Sequence, residues 1–125
     1  MDALGAHLLL ELKECDSELL NDLDCVREVL MRAASESGAT VVGDTFYKFQ
    51  PIGVTGIVAI AESHIGIHTW PEYAYAAADI FTCGQSLRPY RAAELIIQGL
   101  RCGEPSITEI KRGIVVPQTV AAGIR

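Results

Sequence analysis

One short stretch, from Glu62 to Cys83, carries Ser63, His64, His68, Trp70, Glu72, Tyr73, Tyr75 and Asp79 between its ends. A hydroxyl, two imidazoles, three carboxylates and a thiol are the groups from which proton transfer, nucleophilic attack and metal binding are built. Taken singly they are ordinary, because a strand end often carries a histidine or two among polar neighbours. A metal reading would use His64 and His68, which share strand parity, with His7 and Glu62 brought near. Parity alone is thin support, and no metal is expected.

The elements that must hold these groups are legible from periodicity. The run LGAHLLLELK, Leu4 to Lys13, alternates at Leu8, Leu10 and Leu12 and predicts a half-buried first strand with His7 on it. From Asp16, a suitable cap, Leu19, Leu23, Val26, Leu30 and Ala33 recur at three- and four-residue steps and predict one helix that Gly38 stops. ATVVGDTFYKF and VTGIVAIAES, punctuated by Pro51 to Gly53, predict a hairpin of two strands. Short extended runs from Ile65 and from Tyr73 follow, with Pro71 between them. A second helix begins near Arg88 with Pro89 in its first turn, buries Ala92, Ala93, Ile96 and Leu100, and ends at Gly103. SITEIKRGIVV predicts a last strand, and residues 117–125 lack periodicity and predict a loose tail.

Strands in runs with two helices predict an α+β fold, a two-layer sandwich with a mainly antiparallel sheet and both helices on one face. At 125 residues, 1–125 forms a single domain. A sheet covered on one side leaves an apolar face open, and a homodimer is the economical way to cover it. The net charge of −6, sixteen acidic against ten basic residues, offers no basic cluster to a phosphate backbone, so no nucleic-acid partner is expected. No apolar run approaches the roughly 20 residues of a membrane-spanning helix. Acidic residues at Asp2 and Glu11 stand where a leader would be basic, which predicts a cytoplasmic protein. Cys15, Cys25, Cys83 and Cys102 have no Cys-x-x-Cys spacing, and Cys15, Cys25 and Cys102 are expected to be reduced, buried thiols.

The ordered blocks ESHIGIHTWPEYAYAAADIFTCG, GAHLLLELKECD and ASESGATVVGDTFYKFQPIGVTGIVAIAESH resemble the prokaryotic S-adenosylmethionine decarboxylase proenzymes, over roughly residues 3 to 103. Glu-Ser-His, His-Thr-Trp-Pro-Glu and Phe-Thr-Cys-Gly in that order are far more specific than one short motif.

The resemblance implies that the chain cuts itself between Glu62 and Ser63. Residues 1–62 then become the β chain, and residues 63–125 an α chain headed by a pyruvoyl group made from Ser63. In that scheme the Ser63 hydroxyl attacks the Glu62 carbonyl through a five-membered ring. His68 removes the α-proton of the ester-linked serine, and Thr55 assists, its hydroxyl standing where well-known members carry serine. Five residues apart on a straight strand, Ser63 and His68 would face opposite sides, so a bend, at Gly66, is expected to bring them together. The pyruvoyl group serves as cofactor in decarboxylating S-adenosylmethionine to the aminopropyl donor for spermidine, with Cys83 as proton donor. Phe49 is similar to the family's adenine-stacking aromatic, and the Glu72 carboxylate is expected to accept from both ribose hydroxyls, with Trp70 and Tyr75 lining the pocket or simply packing. The implied assembly is (αβ)₂, a homodimer of cleaved protomers. Relatives of the family decarboxylate ornithine or arginine, which is the alternative substrate class. A non-catalytic subunit is disfavoured by the presence of Glu62, Ser63, His68 and Cys83 together.

Overall fold

A computed structural model describes residues 3–84 and 87–115. The first strand, β1 (Ala3–Lys13), turns at Glu14 into a short helix α1 (Ser17–Leu20), and α2 (Leu23–Glu36) follows directly. The single helix expected from Asp16 to Gly38 is therefore two. Asp16 caps the first with its side chain on the Glu18 and Leu19 amides, and Asp22 caps the second on Cys25 N–H. An aspartate offers its carboxylate to orphan amides in an extended backbone, so the second cap competes with continued helix and wins.

Strands β2 (Val41–Lys48) and β3 (Val54–Ile60) form the expected hairpin, and β4 (Ser63–Trp70) returns along β3. A 3₁₀ turn at Pro71–Tyr73 leads to β5 (Tyr75–Cys83), and α3 (Pro89–Gly99) crosses to β6 (Glu104–Ile114). Helix α3 ends at Leu100, ahead of Gly103, with Arg101 in the left-handed region. Residues 117–125, expected as a tail, lie outside the described residues.

The sheet has the order β2-β3-β4-β5-β1-β6, and every neighbouring pair is antiparallel. It is the expected α+β sandwich, with three helices rather than two among the described residues. Leu8, Leu10 and Leu12 of β1, Ile65 and Ile67 of β4 and Ile80 of β5 share one face and are fully buried with Val26, Leu30, Ile96 and Leu100 of the helical layer. Alternation therefore leaves His7, His64, His68, Asp79 and Cys83 on the face that carries no helix.

Thr69 ties the layers together. Its buried hydroxyl accepts from Val54 N–H at 2.8 Å and donates to the Leu20 carbonyl at 2.9 Å, joining β4 to the start of β3 and the end of α1. Thr69→Val keeps the shape and leaves that amide and carbonyl unpaired. Urea unfolding should show a loss of about 2 to 4 kcal/mol; a loss within error of zero would mean that other groups satisfy them.

Candidate active site

The hairpin from β3 to β4 closes on the pair Ile60↔Ser63, so its turn is Ala61 and Glu62. Glu62 sits at φ 63, left-handed backbone that costs an L-residue roughly 1 to 2 kcal/mol. The peptide bond to Ser63 thus leaves a strained residue at an exposed turn. Ser63 is half-buried and paired with Thr82 of β5, whose own hydroxyl oxygen is buried without a hydrogen-bond partner among the described residues. Ser63, Glu62, His64, Phe81 and Cys83 line a shallow hollow of about 560 Å³. Cys83 stands opposite Gly5 in the sheet, where a Cβ would lie 3.2 Å from the Cys83 sulfur and 2.7 Å from the Thr82 carbonyl. Only a glycine at that position admits the thiol.

His68 is elsewhere. It pairs with Thr55 across β3, and its Nδ1 lies 3.1 Å from the Thr55 hydroxyl in a second hollow of about 280 Å³. The expected bend at Gly66 is absent: β4 keeps one register with β3 and with β5 from Ser63 to His68, and Gly66 pairs in line with Ile57 and Asp79. Hydrogen bonding on both sides holds the strand straight. Five residues at about 3.3 Å each put His68 roughly 17 Å from Ser63 along the strand. The glycine serves another purpose, since a Cβ there would meet Asp79 Oδ1 at 2.8 Å.

Asp79 is the centre of a network lying between the two hollows. Its Oδ2 accepts from His7 Nε2 at 2.7 Å and from His64 Nε2 at 2.9 Å, while Arg112 donates to His7 Nδ1 at 2.9 Å. A guanidinium has no acceptor, so His7 carries its proton on Nε2. Burial pushes the Asp79 carboxyl up, but the two imidazole donors outweigh it and hold the group below the ordinary aspartate value. Phe81 packs against both imidazoles, and Arg112 lies over its ring. The metal reading grouped His64 and His68 with His7 and Glu62; the fold instead gathers His7, His64 and Asp79, whose three ligand atoms lie within 4.8 Å. Asp79 already bonds both imidazoles, and the guanidinium beside them disfavours a cation. Arg112 was not legible as a site residue, because only the pairing of β6 with β1 brings it to His7.

Phe49 and Glu72 lie beyond the His68 end of β4. Phe49 follows β2, 45% exposed, with its ring edge-on to Tyr47. Glu72 is exposed in the 3₁₀ turn that follows Trp70, and Trp70 packs on Tyr75. Within one chain the candidate residues thus fall into two groups. Glu62, Ser63 and Cys83 are at one end of β4 and β5, where Ser63 has the parity of Ile65 and Ile67 and so faces the opposite side from His68; Thr55, His68, Phe49, Trp70 and Glu72 are at the other end. Of the remaining cysteines only Cys15 is buried, whereas Cys25 and Cys102 are partly exposed, contrary to expectation. No helix among the described residues is long and apolar enough to cross a membrane.

Comparison with known proteins gives a consistent result. A family model described as S-adenosylmethionine decarboxylase matches residues 6–113. The chain is 52% identical over 115 residues to the S-adenosylmethionine decarboxylase proenzyme of Thermodesulfovibrio yellowstonii, covering 92% of this chain and 85% of that one. It is 45% identical over 122 residues to the proenzyme of the same name from Moorella thermoacetica, with 98% of each chain covered. Among solved structures, the adenosylmethionine decarboxylase of Aquifex aeolicus superposes with a TM-score of 0.87 at 37% identity, over 93% of this chain and 96% of that one. A Trypanosoma brucei structure, at 14% identity and a TM-score of 0.60, shares the fold.

The Asp79 network makes acid stability testable. A carboxyl held below its ordinary value of 3.8 contributes stability that is present above that value and lost as pH falls through the depressed one. Urea midpoints measured from pH 7 down to pH 3 should therefore fall more steeply for the wild type than for Asp79→Asn. Parallel curves would show that the imidazole bonds contribute nothing net.

Proposed function

The chain belongs to the S-adenosylmethionine decarboxylase family, and we propose that it decarboxylates S-adenosylmethionine after cutting itself between Glu62 and Ser63. The observation that carries this reading is the turn itself: a left-handed Glu62 followed by a serine that shares a hollow with a thiol. None of the relatives named above is named for ornithine or arginine.

In the cut, Ser63 Oγ adds to the Glu62 carbonyl carbon and the C–N bond breaks, which turns the amide into an ester. Oxygen and carbonyl belong to neighbouring residues, so the reaction is intramolecular and needs no encounter. Loss of the Ser63 α-proton then expels the Glu62 carboxylate and leaves dehydroalanine at residue 63. Its tautomer takes up water and releases ammonia. Strain at Glu62 is relieved as the turn opens. Residues 1–62 and 63–125 remain together through the pairing of β3 with β4 and of β1 with β5 and β6.

The half-buried position of residue 63, beside the Cys83 hollow, fits the pyruvoyl group that the cut would leave there. That group supplies a carbonyl that draws electrons from the bond to the departing carboxylate. Cys83 then returns a proton to the substrate carbon, a step that a positioned acid typically accelerates by about 10² to 10⁴. Phe49 and Trp70 offer faces to the adenine, worth roughly 1 to 3 kcal/mol per stacked base. Glu72 accepts from the ribose hydroxyls, and the product is the aminopropyl donor for spermidine.

These roles need a second copy. The roughly 17 Å between His68 and Ser63 along one strand is too long for proton transfer. The open face exposes Leu9, Ile57 and Trp70, an apolar surface that a homodimer covers. Under a two-fold axis the Ser63 end of one copy meets the His68 end of the other, so that Thr55, His68, Phe49 and Glu72 of one chain serve Ser63 and Cys83 of its partner.

Complementation tests both parts. Ser63→Ala and His68→Ala should each stay uncut alone. Co-expressed, the His68→Ala chain should be cut and S-adenosylmethionine decarboxylation should appear, because its Ser63 meets an intact His68. No cut in the mixture would overturn the shared site. Cys83→Ala should leave the cut intact and lower kcat by about 10² to 10⁴; an unchanged kcat would remove Cys83 from the chemistry, and release of carbon dioxide from ornithine or arginine at comparable rate would overturn the substrate.

A further inference from the structure

β1 and β6 pair in one register from Ala3↔Ile114 to Lys13↔Glu104. Two more backbone bonds join the segments past the strand ends: Gly103 N–H donates to Glu14 O at 3.0 Å, and Asp16 N–H to Leu100 O at 3.2 Å, the second one residue out of that register. Cys15 and Cys102 lie between these two bonds. The side chains are also adjacent. Cys15 Sγ donates to the Leu12 carbonyl at 3.5 Å, Cys102 Sγ donates to the Lys13 carbonyl, the next along, at 3.0 Å, and the two thiols are within hydrogen-bond reach of each other. Cys15 lies in the hydrophobic core and Cys102 packs against it. Burial first, and then the neighbouring Cys102 thiol, push the Cys15 thiol up to about 12.

We propose that Cys15 and Cys102 are a disulfide site, oxidised by a low-molecular-weight disulfide, that ties residues 1–62 to residues 63–125. The tie between two chains rests on the cut proposed above; the bond itself does not. Cys102, the more exposed sulfur, attacks one sulfur of the small disulfide and releases its first thiol. Cys15 then attacks Cys102 Sγ, the protein S–S bond forms, and the second small thiol leaves. Two electrons pass from the protein thiols to the oxidant, and the two thiol protons end on the released small thiols. The high value of Cys15 makes the second exchange the slow one, because the thiolate is the attacking form. Cys83 is spared: it is level with Gly5, ten residues along β1 from Cys15, or roughly 33 Å.

The consequence is mechanical. Once the bond at Glu62 opens, the two fragments are held by strand pairing and packing alone, and a crosslink at the end of the sheet far from Ser63 restores one covalent body without touching the hollow. The test treats purified protein with glutathione disulfide, then applies a denaturing gel without reductant and peptide mapping. Wild type should run as one crosslinked species that dithiothreitol separates into chains of 62 and 63 residues, and Cys102→Ser should run as two chains throughout. In uncut Ser63→Ala, the Cys15–Cys102 peptide pair should still appear. Two separate wild-type chains with glutathione resting on Cys102, or a crosslink through Cys25 or Cys83, would overturn the proposal. A single wild-type chain that persists in dithiothreitol, with the Cys15–Cys102 pair present, would sink the cut and leave the disulfide standing.

Discussion

From Ser63 onward β4 is bonded on both sides, to β3 and to β5, with no slip of register. Everything chemical in the molecule inherits that constraint. A strand paired twice alternates faces strictly and rises steadily, so His64, Gly66, His68 and Trp70 are committed to the open face while Ile65 and Ile67 are committed to the core. A shift by one residue would bury two histidines and expose two isoleucines. The core thereby fixes where the imidazoles stand, and it separates His68 from Ser63 by most of the length of the strand.

The same rigidity explains why the open face is organised as two ends joined by a centre. Near Ser63 the sheet is thinned by Gly5, which admits the Cys83 sulfur; near the middle, Gly66 leaves room for the Asp79 carboxylate. Asp79 holds His7 and His64, and Arg112 holds His7, so four strands are pinned across the face. His64 comes one residue after the bond proposed to be cut. Its tether to Asp79 would keep the start of β4 in place once the turn at Glu62 was opened. In the shared site proposed above a second copy would complete the arrangement, and the exposed aromatic side chains at the His68 end are a surface available for that contact.

Much of this was legible in the sequence where the signal is local. Alternation in β1, the Pro51–Gly53 turn and Pro89 at the start of α3 each act within a few residues, and the elements fell where they were expected. The sandwich followed from their order. What was not legible depends on competition or on distance. Asp22 breaks the long helix because a cap there outweighs propagation, which periodicity does not register. Gly66 reads as a hinge on its own, yet it is held straight by partners that lie about ten residues away along the chain. Arg112 meets His7 only through the β1–β6 pairing, 105 positions apart. The two groups of site residues read as one motif because the sequence from Glu62 to Cys83 is contiguous, while the strand that carries them is stiff and long.

The account stands on the bond between Glu62 and Ser63, and the mass of the purified protein tests it most directly. Under denaturing, reducing conditions it should resolve into chains of residues 1–62 and 63–125, the second lacking its amino group and carrying a ketone that reacts with a hydrazide. A single chain of 125 residues in a preparation that decarboxylates S-adenosylmethionine would contradict it.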